Sequence, residues 1–260
     1  MKFGTLSRRK FLQRALILIP CAVLGEAIFI EPTWLMVRRL RIGKTPVEHR
    51  LVHFSDLHHK GNGGYLKSVV EKINSLAPDF VCFTGDLLED AKFLPETLAI
   101  LSGIKAPLYG VPGNRDYRSG MPFKPVMDCF AATGGAWLMD DSRELAGDQI
   151  NLTGITCLQA DETRLNLKPH AKNILLMHYP ARVKMLGSLK FDLILAGHSH
   201  GGQVRLPLYG PLVLPPGVDE YDLGLFETGS GPIHVSAGVG YLQNFHFRLN
   251  CPPELTVIEL

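Results

Sequence analysis

Phe191-Asp192-Leu193-Ile194-Leu195-Ala196-Gly197-His198-Ser199-His200-Gly201-Gly202 decides the fold. An apolar run, Phe191 to Leu195, ends in glycine and two histidines, the pattern of a buried strand whose exit loop carries polar side chains. At strand spacing the i, i+2 histidines leave on one side, roughly 6–7 Å apart. That is too far for one small chelate and suits two adjacent metal ions. Four further stretches, each at the end of an apolar run, supply what such a pair lacks: Asp56-Leu57-His58, Gly85-Asp86, Gly113-Asn114 and His178.

Outward from the histidine block, helix-separated strands come first. Strands are expected at Leu51 to Phe54, Phe80 to Thr84 and Leu108 to Val111, and helices at Tyr65 to Leu76, Leu94 to Ile104 and, after Pro125, within Met121 to Thr133. A strand-rich half follows, with Ala136 to Met139, Gln149 to Ile155, Ile174 to Met177, Leu193 to Ala196, Ile233 to Ala237 and Leu255 to Glu259, and one helix at Arg182 to Leu189. This order predicts an α/β, four-layer sandwich of two mixed β-sheets flanked by helices, with ligand groups at the carboxyl ends of strands.

The chain of 260 residues divides into a preamble, 1–45, and one domain, 46–260. Its net charge of +2 and lack of a basic patch give no indication of a nucleic-acid partner. Five cysteines without paired spacing indicate neither a thiolate zinc site nor a disulfide framework. In the preamble, Ser7-Arg8-Arg9-Lys10-Phe11-Leu12 precedes the apolar run Ala15 to Gly25, and Arg38, Arg39, Arg41 and Lys44 follow it. Two expectations stand side by side: export by the twin-arginine route to the periplasm or cell envelope, and retention as an attachment at the cell membrane with Trp34 at headgroup depth.

Asp56, His58, Asp86, Asn114, His178, His198 and His200 offer carboxylate, imidazole and amide oxygen, a set that suits two divalent ions of Mn, Fe or Zn. Asp86 is the expected bridge, since a carboxylate has an oxygen for each ion. Two such ions activate a water and clamp phosphoryl oxygens for in-line attack, with no covalent enzyme intermediate. In this order the blocks resemble the five-block signature of the calcineurin-like metallophosphoesterases, from about residue 50 to the end. The resemblance implies Asp56, His58, Asp86 and His200 around one ion, and Asp86, Asn114, His178 and His198 around the other. Gly201-Gly202-Gln203 and Asn250-Cys251-Pro252-Pro253-Glu254 are similar to the bacterial branch with a twin-arginine leader, whose members act on phosphodiesters.

The family usually has histidine after Gly113-Asn114, the proton donor to the leaving oxygen; here Arg115-Asp116 stands. Arginine keeps its charge and cannot be a general acid, but its planar fork binds a phosphoryl oxygen. A leaving group that is itself a phosphate needs no proton, which favours a pyrophosphate bond over an alkyl ester. Gly113-Asn114-Arg115-Asp116 is also similar to the block of the UDP-2,3-diacylglucosamine hydrolases of lipid A synthesis. That implies a nucleotide-lipid substrate, with the apolar loop Leu206 to Pro215 as the surface for acyl chains. Export would part the chain from a cytosolic UDP-sugar, so a general phosphodiesterase of the cell envelope stays as the alternative. A catalytically weak metal-binding scaffold, with Arg115 marking lost chemistry, is the third. Asn114, Arg115 and Asp116 are the expected catalytic group, Asp116 orienting Arg115. Arg205 and Arg248 are secondary candidates for phosphate contact. His49, His53, His59, His170, His234 and His246 are expected to be surface or satisfied core histidines. Oligomeric state is not legible.

Overall fold

The computed structural model describes residues 7–43, 46–147, 149–158, 165–242 and 245–260, so Lys44 of the basic cluster and the expected boundary at 45 lie outside the described residues. Two six-stranded mixed sheets form the body. The first runs β1 (Met36–Arg41), β14 (Glu254–Glu259), β2 (Arg50–Phe54), β3 (Phe80–Phe83), β4 (Leu108–Gly110), β5 (Ala136–Trp137). The second runs β12 (Gly224–Thr228), β13 (Gly231–Val235), β9 (Leu193–Ala196), β8 (Lys172–Leu176), β7 (Ile150–Gly154), β6 (Asp141–Leu145). β2 to β5 are parallel, as are β7, β8, β9 and β13, so the carboxyl ends of each set open on one edge.

Alternation along these strands sorts apolar side chains into layers. Leu51, Cys82 and Ile258 from one sheet meet Leu152, Leu176, Leu193 and Leu195 from the other in the central layer. The outer face of the first sheet is covered by α2 (Gly63–Ser75), α3 (Leu94–Leu101) and α5 (Phe123–Ala132), whose buried stripes include Val69, Ile73, Leu101 and Phe130. The outer face of the second is covered by a 3-10 turn, Pro180–Met185, and by Leu186, Phe191 and Tyr221. The expected helix at Arg182 to Leu189 is therefore a correction. Pro180 opens the segment and Gly187, at φ +60°, closes it before an α-helical ladder is established.

α1 (Arg8–Phe29) runs through Pro20 without interruption and is largely exposed. Its 22 residues span about 33 Å, long and apolar enough to cross a membrane by length and composition. Its root is fixed to the domain. Arg248 N donates to Ala27 O at 3.0 Å, and the buried Glu31 carboxylate accepts from Asn250 N at 2.9 Å and from Cys251 N. β1, inside the stretch expected to be preamble, pairs in register with β14, so the sheet begins before the expected division at 45 and 46.

Between the sheets lies a polar pair. His53 Nδ1 is 3.0 Å from His234 Nδ1, and His53 Nε2 is 2.9 Å from Thr84 Oγ1. Burial, with each charge opposing the other, holds His53 far below its ordinary value, and burial and Arg38 hold His234 at about 4. Both rings are neutral when folded, while an unfolded histidine takes its proton near 6.5. Folding stability should therefore fall as pH drops from about 6.5 toward 4, by up to about 1.4 kcal/mol per pH unit for each ring. Ring resonances of both residues should stay unshifted between pH 7 and 5; a midpoint near 6 for either would overturn this.

Candidate metal centre

Every side chain of the site leaves a strand end. Asp56 and His58 follow β2, Asp86 follows β3, Asn114 opens the short helix α4 (Asn114–Arg118) after β4, His178 follows β8, and His198 and His200 follow β9. The two histidines do not continue the strand. β9 ends at Ala196, and both residues take left-handed backbone, φ +68° and +49°, as do Asp56, His58 and Asp86. Left-handed backbone is uncommon outside glycine, although Asp and His tolerate it better than most, and here it is held by close packing of the loops. A Cβ on Gly113 would lie 2.2 Å from Asp86 Oδ1, and one on Gly197 would lie 1.8 Å from Ser55 Oγ, so only glycine admits these approaches. His58 N donates to Asp86 O at 2.9 Å, and His198 N donates to Asp56 Oδ2 at 2.9 Å, closing the loops on one another.

The side chains gather into two groups, Asp56 with His58 and His200, and Asp86 with His178 and His198. In each group the donor atoms lie within 4.8 Å of one another. Asp86 belongs to both sides: Oδ2 is 3.4 Å from His58 Nε2 and Oδ1 is 3.5 Å from His178 Nε2. Asn114 Oδ1 is 3.0 Å from His178 Nε2. All seven residues of the expected ligand set are thus brought together.

Hydrogen bonds to the far nitrogens orient three of the rings. His58 Nδ1 donates to Glu89 Oε1 at 2.7 Å, His178 Nδ1 to Thr84 O at 2.8 Å and His198 Nε2 to Pro216 O at 2.9 Å. In the neutral ring each remaining nitrogen is a bare acceptor. His178 Nε2 then faces the Asn114 and Asp86 oxygens lone pair to lone pair, an arrangement that calls for a proton on the ring or a cation between them. At the other group, His58 Nε2 and His200 Nε2 are 2.9 Å apart beside Asp56 Oδ1, and the buried His200 Nδ1 has no hydrogen-bond partner. The donor set therefore fits two divalent cations.

The electrostatics agree. Burial opposes charging of His58, yet hydrogen bonds to Asp56 and Glu89 and the charge of Asp86 outweigh it and hold the ring up at about 9. Burial likewise opposes charging of His178, and Asp86 overcomes it, again to about 9. Asp86 itself is held at about 2, burial being outweighed by His178 and His58. Burial, then the charge of His178, holds His198 down at about 4, and burial holds His200 well below its ordinary value, so the pocket gathers positive charge at His58 and His178 and keeps the other two rings neutral.

Arg115, one-third exposed, lines a cleft of about 230 Å³ with Asp86, Asn114, Arg118, Tyr179 and His198. Its Nη1 is 3.8 Å from Glu89 Oε2. Asp116 does not orient it, which corrects the expectation. Its buried carboxylate accepts from the backbone N–H of Asp86 at 3.0 Å, Leu87 at 2.7 Å and Gly113 at 2.8 Å, fastening the Asp86 loop to the Asn114 loop. Burial, then the nearby Asp86 charge, pushes Asp116 up to about 7. Arg205 is occupied by Asp222 at 2.8 Å. Arg248 is fully buried and donates to Cys251 O, Ala237 O and Gly240 O, so neither arginine is offered to a phosphate at the cleft. His59 pairs with Glu96. Glu89, Arg118 and Tyr179 were not anticipated; Glu89 had only its place three residues after Asp86 as a signal, and Tyr179 its place after His178.

Comparison with known proteins agrees with this geometry. Residues 49–202 match the calcineurin-like phosphoesterase family. Metallophosphoesterase YkuE of Bacillus subtilis is 28% identical, covering 98% of this chain and 98% of its own. Phosphodiesterase YaeI of Escherichia coli is 28% identical over 98% of this chain and 99% of its own. UDP-2,3-diacylglucosamine pyrophosphatase LpxG of Chlamydia trachomatis is 28% identical over 88% and 90%. One solved structure at 12% identity superposes with a TM-score of 0.52 over 73% of this chain and 91% of that one, a likeness of fold. With the match spanning most of the domain and both donor groups at its strand ends, the chain belongs to the calcineurin-like phosphoesterases and is a metal-dependent hydrolase.

Proposed function

We propose that the chain hydrolyses a phosphodiester or pyrophosphate bond at a pair of divalent ions, Mn, Fe or Zn, held by Asp56, His58, Asp86, Asn114, His178, His198 and His200. The observation that carries this is Asp86, whose two oxygens face the two groups of imidazoles. Bound there, the ions would lower the pKa of a water and offset charge on the phosphoryl oxygens. The protein's own part is orientation and charge. Glu89, Thr84 O and Pro216 O fix the rings so that one nitrogen of each points inward. Arg115 and Arg118, on one short helix, present guanidinium forks to the cleft for non-bridging phosphoryl oxygens.

Glu89→Gln tests the orienting role. Losing the carboxylate behind His58 should weaken metal binding about 10- to 100-fold, read by competition with a chelator. Unchanged affinity would remove Glu89 from the centre.

The finer reading is a substrate whose leaving group is a phosphate, such as UDP-2,3-diacylglucosamine. Arg115 at the position of a proton donor supports it, as does the similarity to LpxG. The exposed apolar α1 supports a membrane location, by retention or as an export signal. Product analysis with Mn²⁺ and UDP-diacylglucosamine beside a plain phosphodiester separates the readings. UMP release supports the nucleotide-lipid substrate, diester cleavage alone the general phosphodiesterase of the envelope, and cleavage of neither the scaffold.

A further inference from the structure

Beside the metal cleft lies a second cavity of about 300 Å³, lined by Val204, Leu212, Val213, Pro215, Leu242 and Phe245. Pro215 and Leu242 wall both cavities. The polar side chains at its lining are already committed. Gln203 Nε2 donates to Phe245 O at 3.0 Å and Phe247 O at 2.9 Å, and its Oε1 accepts from Leu242 N at 2.7 Å. Ser199 Oγ accepts from Gly201 N at 3.0 Å and donates to Ser236 O at 3.4 Å. The cavity thus offers a ligand almost nothing but hydrocarbon, next to a cleft lined by Asp86, Asn114, Arg115 and Arg118.

The geometry points to a subsite for a hydrocarbon chain of the substrate, carried within a few bonds of the phosphorus held at the metal cleft. The inference rests on the hydrolase reading above and adds the place in the fold, the cavity behind Pro215 and Leu242, that would take the chain of any amphiphilic phosphate ester, with or without a nucleotide. The shared Pro215 and Leu242 walls make chain and phosphoryl group neighbours. The cavity also opens toward apolar surface. Leu212 and Val213, half and three-quarters exposed, lead back to the hairpin of β10 (Arg205–Leu206) and β11 (Gly210–Pro211), whose tip exposes Leu208 and Tyr209. The base of that hairpin is tied to the same loop as the root of α1. Arg205 N donates to Leu249 O and Asn250 Nδ2 to Arg205 O, both at 2.9 Å, while Asn250 N donates to Glu31. A chain entering by the hairpin therefore arrives on the side where the apolar helix leaves the domain.

The test uses the full chain in bilayer nanodiscs, loaded with Mn²⁺, and p-nitrophenyl phosphodiesters whose second ester group lengthens from methyl to decyl. In the unmodified protein kcat/KM should rise about three- to fourfold per methylene until the cavity is filled. Leu212→Asp and Val213→Asp, at exposed wall positions that tolerate a polar group, should each lower the decyl-to-methyl ratio at least about tenfold. Partition into the disc is common to all three proteins, so the ratio reads the cavity. Calorimetry of the Mn²⁺-loaded proteins with decylphosphonate, which has no ester bond to break, corrected for empty discs, adds a readout without turnover. A negative heat-capacity change is expected in the unmodified protein and is lost in Val213→Asp. Cleavage of all esters with a ratio unchanged by both variants overturns the subsite and leaves the hydrolase reading intact. Chain binding without cleavage of any ester does the reverse.

Discussion

Asp86→Asn abolishes turnover with every phosphate ester and leaves the protein short of its two divalent ions. The side chain keeps its shape, but asparagine has one oxygen where two are needed, and its amide nitrogen turns hydrogens toward an imidazole nitrogen that should be an acceptor. With its oxygen kept toward Arg115 N, the amide nitrogen takes the place of Oδ2, 3.4 Å from His58 Nε2, and an N–H donated there occupies the lone pair a cation would need. The loop backbone keeps its ties, since Asp116 holds Asp86 N and Leu87 N through its own carboxylate, and the remaining oxygen of asparagine can still accept from Arg115 N, which donates to Asp86 Oδ1 at 2.7 Å. The variant should therefore fold. Loss of one ion removes several kcal/mol of transition-state stabilisation, roughly a thousandfold or more in rate. Metal content by mass spectrometry, with kcat/KM on a diester and a pyrophosphate, checks it. Two ions retained with near-normal rates would end the bridging assignment.

Arg115→His divides substrates rather than silencing the enzyme. The guanidinium lines the cleft and carries a permanent charge, so it can stabilise a phosphoryl oxygen but cannot yield a proton to a leaving alkoxide. Histidine reverses both properties. kcat/KM for a pyrophosphate should fall about a hundredfold, the size expected on losing one fixed donor to developing negative charge. For an alkyl diester, general-acid help offsets the loss, and the rate should hold or rise. Equal falls on both substrates would show that Arg115 binds phosphate without regard to the leaving group.

Why the ligands were legible while other features were not follows from what each leaves in a sequence. Asp56, Asp86, Asn114, His178 and His198 each follow a run of buried apolar residues, so a strand end and a chemical group are read together. The unforeseen long strands are β1, β6 and β12, all at the edges of sheets. Met36-Val37-Arg38-Arg39-Leu40-Arg41 is an edge strand with three arginines, and β6 carries Asp141, Arg143 and Glu144. Charge on an edge guards it against pairing with another chain and erases the apolar signal. The positive φ of five ligand residues was equally hidden, because none is glycine. Asp116 was misread because adjacency to Arg115 in sequence suggested a pair, whereas α4 turns its carboxylate back under the Asp86 loop.

Each donor group draws on both sheets. Asp56 and His58 come from the first and His200 from the second; Asp86 comes from the first, and His178 and His198 from the second. A cation in either place would be a rivet through the open edge of the sandwich, added to the bonds from His198 N to Asp56 and from His178 Nδ1 to Thr84 O that already cross the seam. Catalysis and mechanical cohesion would then share the same two fasteners, and withholding the metal should loosen the rim as well as idle the chemistry.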